Sequence, residues 1–143
     1  MKAFVSQCQI QVQRSYTTRT TDTVKLHRIK GVASLRSIST DLVLLAVDQP
    51  RPAKLIASVI DNHIRNNALI TSPRYQGRGG HPLIFSASLR NELESITSEG
   101  QGIREVFDAH RGEVNEVLVN EPLFRVDLNT PSEYRMGYSR YGV

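Results

Sequence analysis

The chain has no tryptophan, one cysteine and two methionines in 143 residues, and its aromatic content is five tyrosines and four phenylalanines. Each shortage excludes something. A lone Cys8 cannot close an internal disulfide, which fits a reducing cytoplasm rather than a small disulfide-held secreted domain. A nucleophilic Cys8 would need a base to draw off its proton, so it is read as an incidental thiol. No apolar run is long enough for a membrane-spanning helix. The opening MKAFVSQCQIQVQRS has neither an apolar core of signal-peptide length nor a small-residue cleavage site, so the expected location is the cytoplasm. The aromatics are not interleaved with Lys and Arg, so no stacking platform for nucleic acid is visible.

Acidic residues are scarce at one end only. Residues 1–36 hold seven Lys or Arg against one acid, Asp22, which gives +6 of a net charge of +4. The remainder carries eleven bases and thirteen acids, or −2. The basic excess belongs to one end of the chain, and a nucleic-acid binder working through that end ranks last among the functional readings. At this length one domain is expected, burying about 68–70% of the surface its unfolded chain exposes.

Residues 1–30 read as a poorly packed or diverged beginning: QCQIQVQ alternates like a short strand, but RSYTTRTTDT is polar and without helical period. From Gly31 the pattern sharpens, and residues 31–143 form the second unit. GVASLRSIS suggests a short helix. LVLLAV (42–47) is a continuous apolar run of strand length, as in a strand buried on both faces of a parallel sheet. PRPAKLIASVIDNHIRNN predicts a helix whose stripe is Leu55, Ile56, Val59, Ile60 and Ile64, with Pro52 suited to the first turn. Strands follow at 68–73 and 81–86, separated by RYQGRGG (74–80), a basic glycine-rich loop. Ser86 or Ser88 caps a helix carrying Leu89, Leu93 and Ile96. Ile103, Val106 and Phe107 mark a further helix, VNEVLVN (114–120) and LFRVDLNT (123–130) further strands, and Pro131 opens a last helix. Alternating strands and helices point to an α/β fold with a largely parallel sheet.

Chemistry is expected where such sheets bind ligands, outside the carboxyl ends of the strands. Asp48 stands just past an apolar strand, either as a carboxylate for Mg²⁺ or as a turn residue capping the helix after Pro50. The loop RYQGRGGHP offers Arg74 and Arg78 to an anion that its backbone approaches closely, although it lacks the Lys-Ser or Lys-Thr ending of a P-loop. His81 is either a substrate contact or a structural residue beside Pro82. Asp127 and Asn129 close another strand and offer oxygen ligands, or else serve as a helix entry before Pro131.

Taken in order, DLVLLAVDQP, SPRYQGRGGHPLIFS and LFRVDLNTPSEY resemble the molybdenum-cofactor nucleotidyltransferases, most closely the branch that transfers CMP from CTP to molybdopterin. That branch has a strand ending in Gly-Asp-Gln-Pro, a Gly-His-Pro segment followed by apolar residues and Phe, and a closing Asp-Ile-Asp-Thr-Pro. The resemblance spans roughly residues 31–138. It implies a Rossmann-like three-layer α/β/α fold of the nucleotide-diphospho-sugar-transferase type. It also implies that Asp48 and Asp127 are the catalytic, metal-holding pair, with Mg²⁺ as cofactor and CTP or GTP as substrate. Arg78, Gly79, Gly80, His81, Pro82 and Asn129 would form the substrate-binding side, facing molybdopterin.

Departures accompany the matches. Val47 replaces the family's glycine before the aspartate, and Asn129 replaces an aspartate. No glycine occurs before Gly31, so the family's N-terminal Leu-Ala-Ala-Gly-x-Ser-x-Arg-Met-Gly loop has no counterpart. The expectation is a truncated member, inactive by itself, that could act only if another chain supplied the nucleotide loop. The alternative is a non-catalytic domain that binds molybdopterin or docks on a molybdoenzyme or its maturation partners.

Overall fold

The computed structural model describes residues 41–46, 48–97 and 101–141. The expectations for residues 1–30, for Cys8, for the short helix at 31–39 and for Val47 lie outside them.

Strand β1 (Asp41–Leu44) is shorter than the apolar run that encodes it, and Leu45 is already 47% exposed. Helix α1 (Ala53–Asn66) starts at Pro52 as its N-cap and ends on Asn67, whose left-handed φ of 45° lets its N–H reach the carbonyl of Ile64. Its buried residues are Leu55, Val59 and His63, four apart. Ile64, expected on the buried stripe, is 62% exposed. The helix has rolled toward a face that takes His63 inward because that ring finds polar partners on the sheet.

β2 (Ile70–Tyr75) leads through Gln76 and Gly77, both at positive φ, into β3 (Arg78–Gly79) and on to β4 (Leu83–Ser86). RYQGRGG is therefore a tight hairpin rather than an open loop, its turn being of the two-residue kind whose positive φ values match strand twist. Antiparallel pairing runs at Thr71↔Ile84 and resumes at Arg74↔Gly79. β2 spends two residues across that interval and the returning segment four, so Gly80, His81 and Pro82 belong to a bulge, with a cis bond between His81 and Pro82.

A 3-10 turn (Ala87–Leu89) capped by the Ser86 hydroxyl, which accepts from the Ser88 N–H, leads into α2 (Arg90–Ser95). After α3 (Ile103–Ala109) comes β5 (Val114–Leu118). The strand expected at 123–130 does not form. Pro122 opens a 3-10 turn (Pro122–Arg125), and an irregular stretch runs from there to helix α4 (Pro131–Tyr141). Thr130 and Glu133 close a capping box: the Thr130 N–H donates to Glu133 Oε2 at 2.9 Å and the Glu133 N–H to Thr130 Oγ1 at 3.2 Å.

The sheet runs β1-β4-β2-β3, with β5 on the other edge of β2. β2 and β5 are parallel, but β4 is antiparallel to both β1 and β2. The largely parallel sheet expected from alternation holds for the shared direction of β1, β2 and β5 and fails for the hairpin strands. The physical reason is the connection between β2 and β4, too short for the crossover of a dozen or more residues that a parallel pair demands. Among the described strands β1 pairs with β4.

Register explains the layers. Leu42, Phe85 and Ile70 sit opposite one another on one face and pack with Leu89, Leu93, Ile96 and Val106 from the α2 and α3 side. Thr71, Ile84 and Asn115 turn to the other face, because side chains alternate along a strand, and there Thr71 meets His63 of α1. Helices thus cover both faces, as an α/β fold of this kind requires.

Candidate functional site

Because β1, β2 and β5 share a direction, their carboxyl ends lie along one rim. Three segments meet there: residues 48–51 after β1, the bulge 80–82, and residues 121–129 after β5. The Leu128 N–H donates to the Asp48 carbonyl at 2.7 Å, tying the first segment to the third and bringing Asp127 beside Asp48 in the fold. Both aspartates are half-buried, and among the described residues neither forms an ion pair. Asp48 is not the helix cap that its position before Pro50 suggests: the N-cap of α1 is Pro52, with no side-chain hydrogen bond. Asp127 sits on an irregular segment rather than at a strand end.

Arg51 binds the rim together. Its Nη1 donates to the carbonyls of Pro50 (3.0 Å), Val126 (3.0 Å) and Leu123 (3.4 Å), and its Nε donates to the His81 carbonyl at 3.3 Å. Its guanidinium also lies 5.0 Å from the centre of the Phe124 ring, within cation–π range. Phe124 is buried in turn against Gly80, where a Cβ would come within 2.7 Å of the ring. Gly80 is therefore set by close approach, the reason glycine is needed there.

These side chains enclose a cavity of about 130 Å³ lined by Gln49, Arg51, Arg78, Gly79, Gly80, Phe124, Arg125 and Asp127. Three guanidinium groups against one carboxylate make it a site for an anion. That is ample room for a phosphoryl group.

Of the residues singled out in the sequence, Arg78, Gly79, Gly80 and Asp127 line this cavity together, and Asp48 is tied to them through the backbone. His81 is half-buried, with Nδ1 3.2 Å from Gln49 Oε1. Pro82 is fully buried and serves packing, while Asn129 is exposed beside the cap of α4. Arg74 is not brought in: it pairs with Glu116 at 2.5 Å and donates to the Gly77 carbonyl at 3.0 Å. Sequence reasoning missed Arg51, Phe124 and Arg125. Only the unusual Pro-Arg-Pro at 50–52 hinted at the first, a cation held between two rigid residues.

Among the described residues no cluster of three or more His, Cys, Asp or Glu side chains is placed to hold a metal ion. Asp127 at the cavity and Asp48 on the segment bonded to it are both oxygen donors of the type Mg²⁺ takes, one or two carboxylates with phosphate and water completing its shell.

A family model, the MobA-like NTP transferase domain, matches residues 22–114. The chain belongs to that family. Among solved structures, the MobA-like chain is similar to Rv0371c from Mycobacterium tuberculosis H37Rv. The crystal structure of its complex with manganese matches at 25% identity and a TM-score of 0.59, covering 78% of this chain and 58% of that one. A second crystal structure of Rv0371c matches at 25% identity and a TM-score of 0.60, covering 78% and 56%. An Rv0371c homologue from Mycobacterium sp. strain JC1 shares the fold at 21% identity and a TM-score of 0.64, covering 87% of this chain and 60% of its own. The chain thus spans less than two thirds of each of these structures. No curated protein matches. No helix among the described residues is long and apolar enough to cross a membrane.

Proposed function

We propose that this MobA-like chain holds the metal and the phosphorylated acceptor of a nucleotidyl transfer, with molybdopterin as acceptor and CTP or GTP as donor. The observation that supports the reading is the Asp48–Leu128 backbone bond, which joins the segment carrying Asp48 to the one whose Asp127 lines a cavity with three arginines. In the reaction the terminal phosphate of the acceptor attacks the α-phosphate of the nucleoside triphosphate, and pyrophosphate leaves. Arg78 and Arg125 fix and partly neutralise the acceptor phosphate, so that its oxygen is presented to the phosphorus without its full charge. Asp48 and Asp127 hold Mg²⁺, which when bound neutralises charge on the phosphates. The manganese named for the Rv0371c complex supports a divalent ion as cofactor.

Residues 1–30 contain no glycine, so they offer no glycine loop of the kind that cradles phosphates through its backbone, and the triphosphate must be held by groups outside them. The same absence favours a second reading, in which the domain binds the acceptor without transferring anything to it.

Calorimetry with Mn²⁺, CTP, GTP and molybdopterin tests both. The chain alone is expected to bind Mn²⁺ and molybdopterin and to release no pyrophosphate. Replacing Asp48 and Asp127 together with Asn should weaken Mn²⁺ about tenfold or more, a change of at least 1.4 kcal/mol. Unchanged Mn²⁺ affinity in that double variant removes the metal site, and pyrophosphate release by the isolated chain overturns the expectation that it is inactive by itself.

A further inference from the structure

Gln49 lines the cavity, and its side-chain oxygen is already committed. Arg51 Nη2 stands 3.0 Å from Gln49 Oε1, and a guanidinium has no acceptor to offer. The amide end facing Arg51 must therefore be the oxygen. His81 Nδ1 lies 3.2 Å from that same oxygen. An oxygen accepts there only if His81 Nδ1 carries the hydrogen, which in a neutral ring leaves the lone pair on Nε2. Both lone pairs of Gln49 Oε1 are then used. Turning the amide over would set its N–H groups against the Arg51 guanidinium, which carbonyls from three segments hold in place.

The other end of the amide is the one left over. Gln49 Nε2 has no hydrogen-bond partner among the described residues, although Gln49 borders a cavity whose other polar side chains are Arg51, Arg78, Arg125 and Asp127. We infer that Gln49 is a specificity-determining donor, giving its amide N–H groups to an oxygen of a phosphoryl group in this cavity. Arg51 and His81 are positioning residues that lock the amide in that orientation. Apart from the Asp127 carboxylate, every polar side-chain group at the cavity is then a donor. That selects a ligand group made wholly of acceptors, as an ionised phosphoryl group is. The inference rests on the reading of the cavity as the acceptor-phosphate site, and names the residue that reads the anion there.

The experiment uses the full chain and two simple probes, inorganic phosphate and pyrophosphate, titrated calorimetrically into wild type, Gln49→Met and Arg78→Gln. A hydrogen bond to a charged group supports an expected weakening of about tenfold in Gln49→Met. Arg78→Gln should weaken both probes by at least as much. If Arg78→Gln binds less tightly while Gln49→Met equals wild type, the role of Gln49 is overturned and the anion site stands. If wild type binds neither probe, or Arg78→Gln leaves affinity unchanged, the site reading falls and takes the inference with it. A second measurement needs no ligand and no variant that must fold around a lost contact. In ¹⁵N-histidine-labelled wild type above the ordinary histidine pKa, at about pH 8, His81 should show a protonated, pyrrole-type Nδ1 and an unprotonated Nε2. An Nε2–H tautomer would place the Gln49 nitrogen against His81 and overturn the assignment.

Discussion

At the scale of single residues, the rim depends on contacts that tolerate no added atom. The Cβ that Gly80→Ala introduces would lie 2.7 Å from Phe124 Cζ and 3.2 Å from Cε1. The ring cannot simply retreat, because Arg51 lies over it at 5.0 Å and Tyr75 packs against it with centroids 6.3 Å apart. Overpacking of this kind costs about 1–3 kcal/mol. Urea unfolding of Gly80→Ala should show that loss, together with weaker phosphate binding as Arg51 shifts. Gly137 provides the contrast. Its added Cβ would meet Leu128 Cδ2 at 2.6 Å, but that atom is the end of a side chain that can rotate, and alanine suits a helix interior better than glycine by about 1 kcal/mol. Gly137→Ala is therefore expected within about 1 kcal/mol of wild type in the same experiment, and an equal loss in both variants would mean that the Phe124 contact is not the cause.

At the scale of elements, α1 is held to the sheet by polar groups as much as by apolar ones. His63, 3% exposed, places Nδ1 2.7 Å from Thr71 Oγ1 and Nε2 3.5 Å from Asp41 Oδ1. Asn115 of β5 donates to the same Thr71 oxygen at 3.2 Å and to Asn62 Oδ1 of α1 at 2.9 Å. One network thus joins α1 to β1, β2 and β5. His63→Ala should cost about 2–4 kcal/mol, from the space left and from the buried Thr71 hydroxyl that loses a partner. Ile64→Lys should stay within about 0.5 kcal/mol of wild type. Thermal unfolding of the two variants decides which residue faces in, and a larger loss for Ile64→Lys would restore the apolar stripe. Hydrophobic periodicity placed the helix correctly and its inner edge wrongly. It cannot see that a histidine becomes acceptable indoors when a threonine and an aspartate from two strands supply polar partners for its ring nitrogens. The α2 and α3 faces, which are purely apolar at Leu93 and Val106, were legible from spacing for the opposite reason.

At the scale of the whole molecule, the site is legible in the sequence as far as it lies next to strands and helices, and illegible where it depends on segments crossing. Asp48, Asp127 and the Arg78–Gly80 stretch could be read from motif order. Arg51 and Phe124 could not, because their importance comes from carbonyls and a glycine some 30 to 75 residues away along the chain, and Arg125 could not, because only the fold brings it to the cavity. The same crossing of distant segments ties the opposite layer together at His110. This residue follows α3 and donates or shares protons with Glu92 Oε2 of α2 at 2.9 Å and with Glu113 Oε1, just before β5, at 3.2 Å. The hydrogen bond to Glu92 first, and that to Glu113 second, raise its pKa above the usual 6.5. A pKa raised on folding means that the folded state binds the proton more tightly than the unfolded chain does. The stabilisation is then fully present below the unfolded value of about 6.5 and disappears as pH rises through the higher folded value. His110→Gln removes the titrating group while keeping a polar side chain. Melting temperatures taken at half-unit steps between about pH 5.5 and 8.5 should therefore fall more steeply with rising pH in wild type than in His110→Gln. The two curves should draw together at the alkaline end, where the wild-type histidine has lost its charge and with it the link between α2, α3 and the start of β5. Parallel curves across the range would mean that the Glu92–His110–Glu113 cluster contributes nothing to holding these elements in register.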